Sequence, residues 1–138
     1  MLALDHLSKT YADGTVALSD VTLRVQESEI VALIGGSGCG KTTLLRLLAG
    51  LDVATSGSVS LDGAAIREPH PSVGIVFQEP RLLPWLNVAQ NVGFGLPTGA
   101  PDRAARIAHA LEKVGLAEHA GRWPKVLSGG QQQRVAIA

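Results

Sequence analysis

An apolar run, a glycine-rich loop and a helical segment follow one another between Glu29 and Leu51, and this order constrains the fold most. The run reads EIVALIG, the loop GGSGCGKT and the helical segment KTTLLRLLAGL. A continuous apolar run before glycines is typical of a strand buried on both faces of a parallel sheet. The leucines that follow crowd one side of a helix with Gly50 as its stop; they are Leu44, Leu45, Leu47 and Leu48. The sequence therefore predicts a strand–loop–helix unit of the α/β class.

The loop has the pattern of a phosphate-binding loop, because Gly35–Thr42 matches G-x-x-x-x-G-K-[ST]. Glycines let several backbone N–H groups face one concavity, and the positive end of the following helix faces the same point. Lys41 supplies a full charge to the phosphates, Thr42 an oxygen ligand for Mg²⁺ and Thr43 a further contact. The predicted nucleotide contacts are Gly35, Gly36, Ser37, Gly38, Cys39, Gly40, Lys41, Thr42 and Thr43. The pattern alone does not choose between ATP and GTP.

Cys39 lies inside this loop and has two interpretations. A helix amino terminus lowers the pKa of a nearby thiol, so Cys39 is a candidate reactive thiol. The simpler interpretation is a small residue at a variable position.

Composition limits the kinds of protein that fit. The 138 residues make one domain at most, are 46% hydrophobic and carry a formal net charge of zero. Zero net charge argues against a strongly basic surface, so no nucleic-acid partner is expected. One cysteine excludes an intrachain disulfide and favours a reducing compartment. The amino end lacks a signal-peptide pattern, and no apolar stretch approaches the roughly 18 residues of a membrane span, so a cytoplasmic location is expected.

The remaining segments predict strands first and helices later. LALDHLSKTY and VALSDVTLRV alternate apolar and polar residues around ADGT, which predicts a hairpin. SGSVSLDG predicts a short strand and VGIVFQ a second buried strand. Helical spacing appears in PRLLPWLNVAQNVGFGL and in DRAARIAHALEKVGL. The apolar positions of the latter are Ala104, Ile107, Ala108, Leu111 and Val114, and Arg103 and Arg106 are expected on its solvated face. The four histidines have no metal-ligand spacing and are expected at the surface.

A second phosphate-binding element is predicted near the end of the sequence. Ser128 and Gln131 stand three apart before an apolar pattern, as in a capping box. A well-capped helix explains these two residues but leaves Gly129 and Gly130 unexplained, since each glycine costs about 1 kcal/mol relative to alanine in a helix. Two glycines at a helix start suggest that something approaches the backbone closely, and a phosphate fits.

Four features together resemble the ATP-binding cassette family. LSGGQ, with QQR after it and a phosphate loop upstream, looks like the family's signature motif. Tyr11 stands where the family has an aromatic residue, and Gln78 ends its apolar run as the family's Q-loop glutamine does. The resemblance covers nearly the whole chain. It implies an α/β P-loop NTPase with an antiparallel β subdomain and an inserted helical subdomain, acting as an ATPase with ATP and Mg²⁺.

The resemblance also implies roles for these residues. Tyr11 would stack on adenine, and Gln78 would join Thr42 at Mg²⁺ and position the attacking water. By their own pattern alone, Tyr11 is a strand-end aromatic and Gln78 a surface amide. Two cassettes of the family pair head to tail, so the signature residues would touch ATP held by a second chain. Those residues are Leu127, Ser128, Gly129, Gly130 and Gln131.

The segment after Gln78 indicates a subfamily. EPRLLPWLNVAQNV is similar to importer ATPases for nitrate, sulfonate and taurine. The family implies that the region Gln78–Trp85 receives a membrane-spanning permease subunit, which places the chain on the inner face of the cell membrane. A substrate-binding protein would act indirectly. An apolar patch suits that docking, and the alternative is that its residues pack within the subdomain; they are Leu82, Leu83, Pro84 and Trp85.

The expected domain is partial. We assign residues 1–85 to the β subdomain and phosphate-loop core, 86–127 to the helical subdomain, and 128–138 to the start of the signature helix. The family pattern continues with a strand ending in Asp and Glu, the Walker B segment, and a switch histidine. These would hold Mg²⁺ and polarise water. We therefore expect an amino-terminal fragment, truncated before the Walker B strand, that is marginally stable and hydrolyses ATP weakly or not at all.

Two other functions compete with the importer ATPase. A phosphate-loop kinase would explain Gly35–Thr42 but leave LSGGQ without a role. A degenerate cassette that binds nucleotide without hydrolysis would explain both motifs.

Overall fold

The two alternating segments near the amino end form the predicted hairpin. In the computed structural model, which describes residues 1–138, β1 spans Leu2–Thr10 and β2 spans Val16–Val25, paired antiparallel. The Gly14 N–H donates to the carbonyl of Tyr11 in the turn, and Gly14 has φ 84°. Glycine adopts this left-handed conformation without the steric cost that a side chain adds, which explains the Asp-Gly signal.

Two further strands complete one antiparallel sheet. β3 spans Ser56–Leu61 and β4 spans Ala64–Ala65, and the strand order is β2-β1-β3-β4. Gly57 has φ 77°, and a Cβ there would lie 2.3 Å from the carbonyl oxygen of His6. Only glycine therefore permits β3 to approach β1 this closely.

A single helix packs on this sheet. α1 spans Lys41–Leu48 and buries Leu44 and Leu47, whereas Leu45 is 48% exposed, so its predicted place on the apolar face was wrong. The helix ends with Gly50 at φ 68°, where the Leu51 N–H donates to the Arg46 carbonyl. The core between helix and sheet consists of Leu4, Leu7, Leu18, Leu44, Leu47, Val59 and Ile66.

The two predicted buried strands are not formed. Neither 29–35 nor 73–78 adopts strand structure, and Ile30 and Ile34 are each 95% exposed. A strand in the middle of a parallel sheet requires a neighbour on each edge and cover on each face. No segment of these 138 residues pairs with either run, so neither run becomes a strand of a sheet.

The chain divides into two compact units, Met1–Ile75 and Val76–Ala138. The second unit is helical, as predicted, and its core consists of Val88, Ile107, Leu111, Leu116, Leu127 and Val135. Its helices are α2 (Val88–Val92), α3 (Arg103–Lys113) and α4 (Gly129–Ile137), with 3₁₀ turns at Ala117–His119 and Pro124–Val126. None of the helices has the length and apolarity that a membrane span requires. The limits predicted for subdomains, 1–85, 86–127 and 128–138, stay a prediction about the complete domain.

Two details of α3 differ from the prediction. Ala104 and Ala108 are exposed, and the buried face is formed by Ile107 and Leu111. Arg103 is partly buried rather than solvated, because its guanidinium donates to the Gly93 carbonyl at 2.7 Å. The long side chain of Arg103 covers the end of α2 in a way that spacing alone does not indicate.

Candidate nucleotide-binding site

The phosphate loop leads directly into α1. Gly40 is the residue before the helix, with φ 92°, and a Cβ there would lie 2.3 Å from the Ala17 carbonyl oxygen of β2. Gly38 is also left-handed, at φ 81°, and a Cβ on Gly36 or Gly38 would meet nothing within 4 Å. Gly40 is therefore required by packing, whereas the space beside Gly36 and Gly38 is open to a ligand.

Lys41 is folded back onto its own loop. Its ammonium donates to the carbonyls of Gly35 at 2.8 Å and Gly36 at 2.6 Å. Cys39 Sγ is 3.3 Å from the same ammonium and is exposed. The cation thus lies among the loop residues that the sequence assigned to phosphate, where it balances carbonyl dipoles.

Thr42 is the residue best placed to hold Mg²⁺. It lies in the first turn of α1, is exposed, and its hydroxyl makes no hydrogen bond within the chain. A hydroxyl oxygen is a ligand type that Mg²⁺ accepts, so Thr42 would be able to hold the ion when it is bound. No three His, Cys, Asp or Glu side chains converge elsewhere in a way that would hold a metal ion.

Tyr11 lies beside the phosphate loop helix. Its hydroxyl is 3.1 Å from Thr43 Oγ1, and the residue is 38% exposed. The Lys9 ammonium is 5.2 Å from the ring centroid. The structure therefore brings the predicted aromatic residue to the first turn of α1, within the same unit as Lys41 and Thr42.

The second candidate element is the start of α4, in the other unit. Ser128 Oγ accepts from the Gln131 N–H at 3.3 Å, and Gln131 Oε1 accepts from the Ser128 N–H at 2.9 Å. The predicted capping box is confirmed. Leu127 is buried and fastens this start to the core of its unit.

Gly129 and Gly130 are exposed, and a Cβ on either would meet nothing within 4 Å. Neither glycine has a positive φ. Backbone conformation and packing within the chain therefore do not require glycine at either position. A contact from outside the chain at these two glycines stays a prediction.

Three side chains around this helix start make contacts that were missed from the sequence. The Gln131 amide nitrogen lies 3.2 Å from His119 Nε2. Gln132 Nε2 donates to the Pro124 and Leu127 carbonyls, and Arg134 donates to the Val114 carbonyl. Because Gln131 Oε1 already accepts from Ser128, its nitrogen is the donor, so His119 Nε2 is an acceptor. No spacing rule points to partners that lie 12 to 20 positions apart.

The segment predicted to meet a membrane partner has a defined shape. Asn91 of α2 accepts from the Leu83 N–H and donates to the carbonyls of Leu83, Leu86 and Asn87. Trp85 is 68% exposed, whereas Leu82 packs against the core of its unit.

Gln78 lies just before this segment, exposed and in no strand. Gln78 and Leu127–Gln131 belong to the second unit, so their roles toward a nucleotide stay predictions.

Comparison with known proteins decides the family. Residues 18–138 match the family described as "ABC transporter". The chain belongs to the ABC transporter family. Its resemblance to ATP-binding cassettes is confirmed.

Among curated ABC proteins, several similar ones carry one name. An "Aliphatic sulfonates import ATP-binding protein" of Burkholderia lata is 52% identical over the whole of this chain and 50% of its own length. Proteins with the same name from Xanthomonas axonopodis and Pectobacterium atrosepticum are 53% and 50% identical over 88% and 99% of this chain. The chain spans about half the length of the curated relatives that it matches.

Solved ABC structures confirm the fold class. A dimeric, post-hydrolysis state of the ATP-binding cassette MJ0796 bound to ADP and Pi matches with a TM-score of 0.87 and 35% identity. It covers 99% of this chain and 67% of that one. The cassette cbiO1 from Clostridium perfringens matches with a TM-score of 0.80 and 32% identity, over 99% and 59% of the two chains.

Proposed function

We propose that this chain is part of the ATP-binding subunit of an ABC importer for aliphatic sulfonates. The observation that carries the proposal is the presence of two complementary half-sites on one chain. One is an open phosphate loop with its lysine, and the other is a capped helix start whose two glycines face open space. Relatives about 50% identical are named for aliphatic sulfonate import, which supports the choice of solute.

The phosphate loop holds the nucleotide of its own chain. When ATP binds, the Lys41 ammonium leaves the carbonyls of Gly35 and Gly36 and contacts the β- and γ-phosphates. The phosphates carry full negative charges and therefore attract the ammonium more strongly than the carbonyl dipoles do. The N–H groups at the start of α1 face the same anion. Thr42 would hold Mg²⁺, which would supply positive charge to offset that of the phosphates, and Tyr11 would offer its ring to adenine.

The start of α4 contacts the nucleotide of a second copy. The Gln131 N–H is held by Ser128, but the N–H groups of Gly129 and Gly130 have no partner within the chain, so they are free to donate to a γ-phosphate. The bare glycines let that phosphate approach the backbone. A triphosphate between two chains then joins them, and loss of the γ-phosphate releases them, with Gln78 positioning the attacking water.

The region Gln78–Trp85 is the proposed contact with a membrane-spanning permease subunit. Trp85 and the partly exposed Leu83 offer an apolar surface, and the hydrogen bonds of Asn91 hold this loop in one conformation. This contact would place the subunit on the inner face of the cell membrane. A substrate-binding protein would deliver the sulfonate to the permease rather than to this chain.

The proposal is tested in a strain whose gene for the full-length protein is deleted. Growth on an aliphatic sulfonate as the sole sulfur source, and uptake of the labelled sulfonate, should return with the wild-type gene. Neither should return with Lys41→Ala, because the variant loses the phosphate countercharge. Uptake that continues in the deletion strain, or that Lys41→Ala supports fully, would contradict the proposal.

The residues 1–138 alone are proposed to hydrolyse ATP weakly or not at all. Gln78 carries a neutral amide, which is a poor base, and no carboxylate is assigned to the water. Steady Mg²⁺-dependent turnover by a purified 1–138 chain, lost in Lys41→Ala, would overturn this part.

A further inference from the structure

Lys9 makes the best-shielded ion pair of the structure. Its ammonium lies 2.7 Å from Asp52 Oδ1 and 2.7 Å from the Val53 carbonyl oxygen. The side chains of Lys9 and Asp52 are 13% and 18% exposed, whereas the other two ion pairs are largely exposed. The hydrogen bond from Lys9 lowers the pKa of Asp52. Shielding from water makes such a pair hold its geometry better than an exposed one.

The same ammonium lies over one face of the Tyr11 ring, at 5.2 Å from the centroid. A cation within about 6 Å of an aromatic face is attracted to it. At the other end of the ring, the hydroxyl is 3.1 Å from Thr43 Oγ1 in the first turn of α1. The ring is thus held at one face and at its hydroxyl, and a flat ligand would have to stack on the opposite face.

We propose that Lys9, fixed by Asp52, is a positioning residue that holds the Tyr11 ring ready to stack on the base of the bound nucleotide. The proposal rests on the proposed function, in which ATP binds at Gly35–Thr43. A ring fixed in advance loses less conformational freedom on binding, so the base adds more to affinity. The hydrogen bonds of the Lys9 ammonium go to Asp52 and Val53 and not to the phosphate loop, so Lys9 affects the base and not the phosphates.

The test compares two ligands of the full-length protein: ATP, and tripolyphosphate, which lacks base and ribose. Dissociation constants are measured by calorimetry for the wild type, Lys9→Met, Lys9→Arg and Tyr11→Ala. We expect Lys9→Met to weaken ATP binding about threefold to tenfold, since the cation–π contact is lost and the Tyr11 ring is no longer held in place. Its tripolyphosphate affinity should stay within about twofold of the wild type. Lys9→Arg keeps the cation and should bind ATP about as tightly as the wild type. Tyr11→Ala should weaken ATP binding at least as much as Lys9→Met does.

Arg24→Met is the matched control. Arg24 lies in β2 opposite Ala3, at the far end of the hairpin from Tyr11, is exposed and makes no ion pair. The control removes the same charge and should bind both ligands as the wild type does. If the Lys9–Asp52 pair served only the stability of the fold, Lys9→Met would weaken the binding of ATP and of tripolyphosphate alike, and that result would overturn the inference. So would equal ATP affinity in Lys9→Met and Arg24→Met. A wild type that binds neither ligand would instead overturn the proposed function itself.

Discussion

His6 and Asp20 form a pH-sensitive contact across the hairpin. Both have left-handed backbones, with φ 47° and 52°, and His6 Nδ1 lies 2.6 Å from Asp20 Oδ1. The hydrogen bond to Asp20 raises the pKa of His6. Because the folded-state pKa is raised, the contact stabilises fully below about pH 6.5, the ordinary histidine value. Its contribution is lost as the pH rises through the folded-state pKa.

We predict that Asp20→Asn lowers the His6 pKa toward its ordinary value. The titration of the His6 ring protons by NMR measures it directly. Asp13→Asn is the control, because Asp13 is also an exposed carboxylate of the hairpin but accepts its hydrogen bond from the Thr15 N–H. Equal midpoints for His6 in wild type and Asp20→Asn would refute the contact.

Replacement of Cys39 distinguishes a reactive thiol from a small residue at a variable position of the phosphate loop. Its Sγ accepts weakly from Lys41 at 3.3 Å, and a serine hydroxyl has room at the same exposed position. We predict that Cys39→Ser leaves the dissociation constant for ATP within about twofold, because Gly35 and Gly36 carbonyls already hold the lysine. A much larger loss, measured by calorimetry, would give the thiol a specific role.

Residues within one motif were predictable, and residues joined across the chain were not. Gly40, Lys41 and Thr42 follow from one short pattern, as do Ser128 and Gln131. Lys9 lies 43 positions from Asp52, and on its own it is only a polar residue on an alternating strand. No local period contains that partnership, so the support of Tyr11 became visible only in the folded chain.

At the scale of elements, Asn91 fixes the loop before α2. Its amide makes four hydrogen bonds to Leu83, Leu86 and Asn87, whereas Asn87 caps the helix with one side-chain bond from the Gln90 N–H. We predict that Asn91→Ala lowers the free energy of unfolding by about 2–3 kcal/mol. Asn87→Ala should cost about 1 kcal/mol, as loss of a helix cap does.

Trp85 reports on the loop separately from overall stability. In a Trp123→Phe background, acrylamide should quench Trp85 fluorescence more steeply in Asn91→Ala than in Asn87→Ala, since only the first releases the loop carbonyls. Equal quenching in both variants would mean that Asn91 acts on the helix alone.

Helices and the hairpin were predictable because their hydrogen bonds are local. Gly50 and Gly115 each follow a helix in a left-handed conformation, as their position in the pattern indicated. The runs at 29–35 and 73–78 have the composition of buried strands, but a strand forms only with a partner. Composition indicates that burial of such a run is favourable. It does not indicate whether another segment of residues 1–138 pairs with the run as a neighbouring strand.

At the scale of the whole molecule, the run at 29–35 leaves apolar side chains in solvent. Ile30 and Ile34 are each 95% exposed. We predict that residues 1–138 expressed alone bind a hydrophobic dye and sediment as aggregates. Ile30→Glu with Ile34→Glu should reduce both effects, and Arg24→Glu, a charge change elsewhere, should not. A cooperative thermal melt and monomeric sedimentation of the unaltered 1–138 chain would refute this expectation.

The two motifs of one chain are proposed to serve two different nucleotides. Lys41→Ala breaks the phosphate loop, and Gly130→Asp places a carboxylate against the incoming γ-phosphate while remaining favourable for the helix start itself. Each variant alone contains no intact site. A mixed pair contains one, made of the loop from the Gly130→Asp chain and the helix start from the Lys41→Ala chain.

Sedimentation velocity of the full-length variants with a non-hydrolysable ATP analogue and Mg²⁺ measures this directly. We predict that neither variant pairs alone and that an equal mixture forms pairs containing one chain of each. A mixture that stays monomeric, while the wild type pairs under the same conditions, would show that the loop and the helix start do not meet across two chains.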